Sequence, residues 1–255
     1  PQPKPTLDDL KKRGFVSGDG EVAKKSFVTI YVGDYDAAAW LYQRIPDIWD
    51  DPERGQIPLG WAFNPTLAER FAPGMAYTRR TKTDNDFFMA GDSGAGYINP
   101  GHLQEPREFS GLPSGIDTWE RHCKQYYKQW DLSITGFIID GYAPAMNDKT
   151  KNAYRAFSRD GIVAQKIDRE GMFKDMPFVR MTYDLNGNPE ECAKTAVSRI
   201  RAGKPQFLIF RTILWSPGGH KKLFEAIKAS EKGSEVEIVD PYTFFLLVKQ
   251  QHGGK

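Results

Sequence analysis

Short runs rich in valine, isoleucine and phenylalanine recur along the chain, at residues 27–32, 57–63, 86–90, 134–140, 161–167, 178–183, 206–215 and 236–240. Bounded by glycine, proline, asparagine or aspartate and too short for helices, they read as eight strands. Their starts lie mostly 27 to 30 residues apart, and helix-period patterns fill most of the gaps. Such spacing leaves room for a crossover helix, so the strands are predicted to pair in parallel. Asn188-Pro189, Asn64-Pro65 and Asp240-Pro241 each set a capping side chain before a proline at the first helical position. Asp117 and Glu120 mark a capping-box-like start for a helix through about Trp130, and Asn147 can cap a helix running to Ser158. The gap between the fifth and sixth runs is too short for a full helix. The pattern predicts an α/β fold, a distorted or incomplete (β/α) barrel of seven or eight mainly parallel strands, with an open doubly wound sheet as the competitor. Residues 1–26, polar with Gly18, Gly20 and three prolines, read as a linker or edge segment, and residues 27–255 as one barrel-like domain.

Composition narrows the function. Among 255 residues, 40% are hydrophobic and 27% charged, which excludes disorder. The longest apolar runs, such as residues 244–248, fall far short of the roughly 18 that a membrane span needs. Lys plus Arg is 35 against 33 for Asp plus Glu, and a net charge of +2 offers little of the attraction on which nucleic-acid binding depends. The two cysteines, Cys123 and Cys192, exclude a disulfide scaffold and fall on different predicted helices as free thiols. Oligomeric state is not legible.

In either architecture ligands bind where parallel strands end, so the polar residues closing each apolar run are the candidates. The first strand ends in Gly33-Asp34-Tyr35-Asp36, the third leads to Gly91-Asp92-Ser93, and the fourth ends in Asp140-Gly141. Carboxylates converging in one cleft can be driven to different proton affinities, one donating while another stays ionised. Neighbouring glycines would let a substrate approach the backbone and reach its amides. As single residues such aspartates also cap helices, and Asp34 fits that role before the alanine run 37–39. Asp92, with no helix after it, does not. Asn64, Arg211, Trp61 and Trp215 close other strands, the two tryptophans as candidate sugar-stacking platforms. Gly94 and Gly96 lack the order of a dinucleotide loop, and Ser93 lacks the G-x-S-x-G elbow, so neither a nucleotide cofactor nor a serine hydrolase is expected. The four histidines show no metal-ligand spacing, and no cofactor or metal is expected. His220 stands where it either lines the cleft or sits on the surface at a helix start.

The segment Gly94-Ala95-Gly96-Tyr97-Ile98-Asn99-Pro100 resembles the signature of the GxGYxYP family of "putative glycoside hydrolases". Residues 32–36, 48–52, 57–61 and 239–245 also resemble that family's carboxyl-terminal domain, in order, and the likeness runs from residue 27 to about 250. Asn99 stands in place of the motif's second tyrosine, keeping hydrogen-bonding capacity and losing an aromatic face. The resemblance implies a sugar-processing site and a carbohydrate substrate. It also implies a bacterial protein exported to the periplasm or outside the cell, with further amino-terminal regions.

Together these point to a glycoside hydrolase with Asp92 and Asp140 as the acid/base pair, Asp34 or Asp36 assisting, and Tyr97, Asn64 and Arg211 positioning the sugar. Gly94, Gly96, Asn99, Trp61 and Trp215 complete the expected binding surface. Two alternatives stand beside it: a non-catalytic carbohydrate-binding domain on a degenerate barrel, motivated by the lack of glutamate at the strand ends, and a carbohydrate deacetylase.

Overall fold

The structure, a computed structural model, describes residues 2–107 and 109–253. The strands are β1 (Ser26–Tyr35), β2 (Leu59–Phe63), β3 (Asp86–Ala90), β4 (Ile134–Ile138), β5 (Gly161–Ala164), β6 (Glu170–Phe173), β7 (Met176–Arg180), β8 (Tyr183–Asp184), β9 (Gln206–Ile213) and β10 (Val236–Ile238). The helices are α1 (Leu7–Lys12), α2 (Ala38–Trp49), α3 (Leu67–Arg70), α4 (Ala72–Thr81), α5 (Ile116–Trp130), α6 (Asp148–Phe157), α7 (Pro189–Val197), α8 (Pro217–Ala229) and α9 (Pro241–His252).

All strands join one sheet in the order β6-β7-β5-β4-β3-β2-β1-β9-β8, parallel except at β6-β7, and β10 lies against the lower edge of β1. The sheet curls because the chain leaving β7 changes partners. Met181 N–H donates to the Ala164 carbonyl at the end of β5, and Thr182 N–H to the Ile209 carbonyl of β9. Those two residues carry the wall from one side of the sheet to the other. The result is the expected distorted, incomplete barrel. The expected sixth strand is in fact two, β7 and β8, and the eighth covers only part of one edge. The unexpected antiparallel hairpin β6-β7 occupies the gap where no helix could fit.

Alternation along β1 shows why it is central: Phe27 and Tyr31 point into the barrel, while Val28, Ile30 and Val32 face the helices. The interior is filled by Phe87, Met89, Val163, Phe207 and Ile209, and α9 closes its base with Phe244, Phe245 and Leu247. The amino-terminal segment also packs beneath the barrel. Gln2 donates to the Phe88 carbonyl and the Tyr242 hydroxyl and accepts from Phe88 N–H, while Leu10 is wholly buried.

Three predicted caps are present: Asn147, Asn188 and Asp240 accept from the backbone N–H groups of Thr150, Glu191 and Thr243. Two helices start elsewhere. Asn64 Oδ1 accepts from Thr66 N–H in a local turn, so α3 begins only at Leu67. α5 starts at Ile116 after Gly115, which places Asp117 inside the first turn, where it favours the helix dipole rather than capping. Ala37, not an aspartate, is the residue that precedes α2, and no side-chain cap hydrogen bond is made there. Cys123 and Cys192 are buried, free and on α5 and α7.

Candidate active site at the barrel mouth

β3 ends in an unusual turn. Asp92 and Ser93 take φ values of 55° and 72°, the left-handed region that disfavours side chains. Two such residues in succession cost about 1–3 kcal/mol each and persist only where the surroundings hold them. Ser93 provides that hold. Its N–H donates to the Phe137 carbonyl at 2.8 Å, its Oγ donates to the Ile98 carbonyl at 2.6 Å and accepts from Ile139 N–H at 2.8 Å, and its carbonyl accepts from the Tyr154 hydroxyl at 2.7 Å. Ser93 is thus a clamp rather than a nucleophile, joining the ends of β3 and β4. Asp92 precedes it in the chain and Asp140 follows Ile139, so the two aspartates flank one hydrogen-bonded junction.

Their surroundings differ. Asp92 is 2% exposed and Asp140 is fully buried. Asp140 Oδ1 accepts from the N–H groups of Gln165 and Lys166, at 2.8 and 3.0 Å, beyond the end of β5. Its Oδ2 is buried without a hydrogen-bond partner among the described residues. Burial raises the proton affinity of this carboxyl above the ordinary aspartate value, against the opposing pull of the Lys166 and Gln165 amides.

The glycines beside these aspartates serve packing. A Cβ at Gly33 would lie 2.7 Å from the Tyr31 ring, one at Gly91 2.7 Å from its hydroxyl and one at Gly136 2.7 Å from its Cδ2. The Tyr31 ring therefore occupies the room that Gly33 and Gly91 were expected to leave for substrate. Nor is the Gly141 amide free for a ligand, because it donates to Gln165 Oε1. Gly94 and Gly96 likewise take positive φ so that their loop can lie on Trp119 and Cys123 of α5. The Ala95 carbonyl meets His122 Nε2 at 2.8 Å, tying the same loop down. Beyond it Tyr97 is exposed, while Asn99 is half-buried and its Oδ1 has no hydrogen-bond partner among the described residues.

The remaining candidates divide. Trp61 is wholly buried in the layer between sheet and helices, tilted against Trp49 at 5.3 Å, with its Nε1 donating to Asp86 at 2.8 Å. It offers no face to a sugar, which corrects that expectation: β2 is covered by α2, and residue 61 points outward from the barrel. Asn64 is buried and its Oδ1 is taken by the turn, so a substrate-positioning role is also corrected. Arg211 forms a two-point ion pair with Asp184, at 3.0 and 2.6 Å, with its guanidinium over the Phe137 ring. Trp215 is half-buried against His220. Asp36 is half-buried just past β1, and the side chain of Asp34 lies outside the described part of the structure. The pattern of polar strand ends did not single out Tyr142, two residues beyond Asp140 and 95% exposed, nor Gln165, Lys166 and Asp184, which hold candidate groups in place. The Asp140-Gly141-Tyr142 run was the available signal for Tyr142.

His220 lies neither in the cleft nor on the surface. Fully buried, it bridges the Ser216 carbonyl through Nδ1 and the Thr212 hydroxyl through Nε2. Burial lowers its pKa from the ordinary histidine value of about 6.5 to about 4. The folded state therefore binds this proton more weakly than the unfolded chain does. Stability is complete above pH about 6.5 and declines as pH falls toward 4, by about 3 kcal/mol from this group. Denaturant titrations from pH 7 to 4 should show that loss, and His220→Gln should flatten it; an unchanged profile in the variant would assign the acid sensitivity elsewhere. Among the described residues no group of three or more His, Cys, Asp or Glu is placed to hold a metal ion.

The profile described as "GxGYxYP putative glycoside hydrolase C-terminal domain" matches residues 24–249. The chain belongs to this family. Within the solved structures, the GxGYxYP domain is similar to a "putative hydrolase" from Bacteroides thetaiotaomicron, at 20% identity and a TM-score of 0.74, covering 98% of this chain and 48% of that one. It thus spans about half of that protein. A "putative polysaccharide deacetylase" from Mycobacterium smegmatis shares the fold at 13% identity and a TM-score of 0.53, over 89% of this chain and 91% of that one. No functionally curated protein matches the sequence. No helix among the described residues is long and apolar enough to cross a membrane.

Proposed function

We propose that this GxGYxYP domain hydrolyses glycosidic bonds at the mouth of the barrel, with Asp92 and Asp140 as its paired carboxyl groups. The clamped Asp92-Ser93 turn carries this reading, because strained backbone held by several hydrogen bonds at a strand end is where a barrel places its chemistry. Asp140, whose burial favours the protonated form, is the group to hold the proton. Asp92, in the left-handed turn at the end of β3, is the one to meet the sugar as base or nucleophile. Asp34 and Asp36, at and just past the end of β1, would assist, while Tyr97 and Tyr142 supply exposed rings for sugar faces and Arg211 a guanidinium held by Asp184. The family's glycoside-hydrolase description supports the substrate class.

The near-complete burial of both aspartates favours one competing reading, a domain that binds carbohydrate without cleaving it. Mass spectrometry of mixed plant, host and microbial oligosaccharides, incubated with the wild type and with Asp92→Asn, separates the two. Shorter products that have gained water only with the wild type establish hydrolysis. Retention of a glycan that returns intact, across a panel shown to contain a ligand, establishes binding alone. Loss of acetyl groups at unchanged chain length, abolished by a chelator, would instead make the domain a deacetylase.

A further inference from the structure

The change of partners that curls the sheet also opens it. β7 pairs with β5 and β8 with β9, so no ladder joins β7 to the first half of β9. A side chain fills part of the missing ladder, Thr182 Oγ1 accepting from Ile209 N–H at 3.0 Å. Outside this seam lies a cavity of about 280 Å³ lined by Arg169, Arg180, Arg199 and Arg201, with Ser198 and Gln206 between them. Among the described residues no carboxylate lines it. Among the described residues the only ion pair these four arginines make is a long one, Arg169 Nε to Glu170 Oε2 at 3.9 Å.

The cations are anchored by neutral groups instead. Arg180 Nε donates to the Ile167 carbonyl at 2.7 Å, which leaves its terminal nitrogens available. Arg199 donates through one terminal nitrogen to the Thr195 carbonyl at 3.0 Å and lies over the Tyr183 ring at 3.9 Å. Gln206 fixes the loop beneath, its amide donating to the Arg199 carbonyl and accepting from Arg201 N–H. The Arg201 side chain makes no hydrogen bond or ion pair with the described residues. Carbonyls and an aromatic face orient guanidinium groups without neutralising them. Four like charges gathered in this way repel one another, and an anion placed among them offsets that repulsion. Guanidinium forks match the geometry of tetrahedral and planar oxyanions through paired N–H donors.

We infer that this cleft is a second binding site, separate from the barrel mouth, which takes a compact oxyanion such as a sulfate or phosphate group. The anion can come free in solution or carried on a sugar chain. Neither source requires that the domain hydrolyse anything, so the site stands or falls apart from the reading of Asp92.

Calorimetric titration of the whole chain at low ionic strength tests it, with inorganic sulfate, inorganic phosphate, a sulfated disaccharide and the same disaccharide desulfated as probes. One saturable site is expected, weakened by about tenfold or more in Arg180→Gln/Arg201→Gln, and unchanged in Arg121→Gln on the exposed surface of α5. Tighter binding of the sulfated sugar than of inorganic sulfate assigns the sugar-borne group; equal or weaker binding assigns the free anion. Arg201→Gln alone, which breaks no interaction in the fold, should reduce affinity even if the double variant is unstable. Absence of saturable uptake of every anion probe, or equal affinity in Arg201→Gln and the wild type, would overturn the assignment.

Discussion

Asparagine in place of Asp92 is expected to reduce glycan hydrolysis by about 10²–10⁴-fold, the usual contribution of a positioned acid or base. The fold should survive. Asparagine, like aspartate, tolerates the left-handed backbone that residue 92 adopts at φ 55°, and the clamp on the turn belongs to Ser93. The melting temperature should therefore stay close to that of the wild type, which separates loss of chemistry from loss of structure. Initial rates on whichever glycan the panel identifies, beside a thermal melt, make the measurement. Wild-type turnover in the variant would remove Asp92 from the reaction and leave the binding reading in its place.

The opposite signature is expected at Trp61. Replacing it with alanine deletes an indole packed against Trp49, Tyr35 and Phe63 and should cost about 3–5 kcal/mol. A further loss comes from Asp86, whose Oδ1 accepts from Trp61 while its Oδ2 accepts from Arg54 at 2.6 Å. Asp86 is 3% exposed, so removal of one donor leaves a buried carboxylate short of a partner. In a chain of this size such a loss lowers the melting temperature by on the order of 10 °C. Sugar affinity of the protein that remains folded should not change. If Trp61→Ala melted like the wild type and bound sugar more weakly, the indole would have to be a binding surface after all.

How far the site was legible depended on which face of a strand each residue occupies. Asp92 and Asp140 stand out in the sequence as polar residues ending apolar runs, and Asp92 as one that no helix needs. Trp61 ends a run in the same way, yet in β2 it faces the helices, because the register of parallel pairing with β3 sets Trp61 beside Phe88 in the outer layer. A one-residue difference in register exchanges the two faces of a strand. The glycines were open to misreading for a related reason. Gly33, Gly91 and Gly136 share one neighbour, Tyr31, which lies two residues from Gly33 in β1 but meets Gly91 and Gly136 only when the strands assemble. The clamp by Ser93 is equally a tertiary fact, since its partners come from β4 (Phe137), α6 (Tyr154) and the loops holding Ile98 and Ile139.

What the sequence by itself determined is the alternation of strand and helix, the caps at Asn147, Asn188 and Asp240, the identity of the family and the strand ends as the place for chemistry. These follow from local periodicity, from hydrogen bonds spanning three residues and from a contiguous motif. The tertiary structure alone decided the split of the sixth strand, the burial of Asp140, the filling of the mouth by Tyr31 and the gathering of four arginines along the open seam. Each of those depends on where separated segments meet when the sheet curls, and curvature is a property of the whole sheet rather than of any one strand.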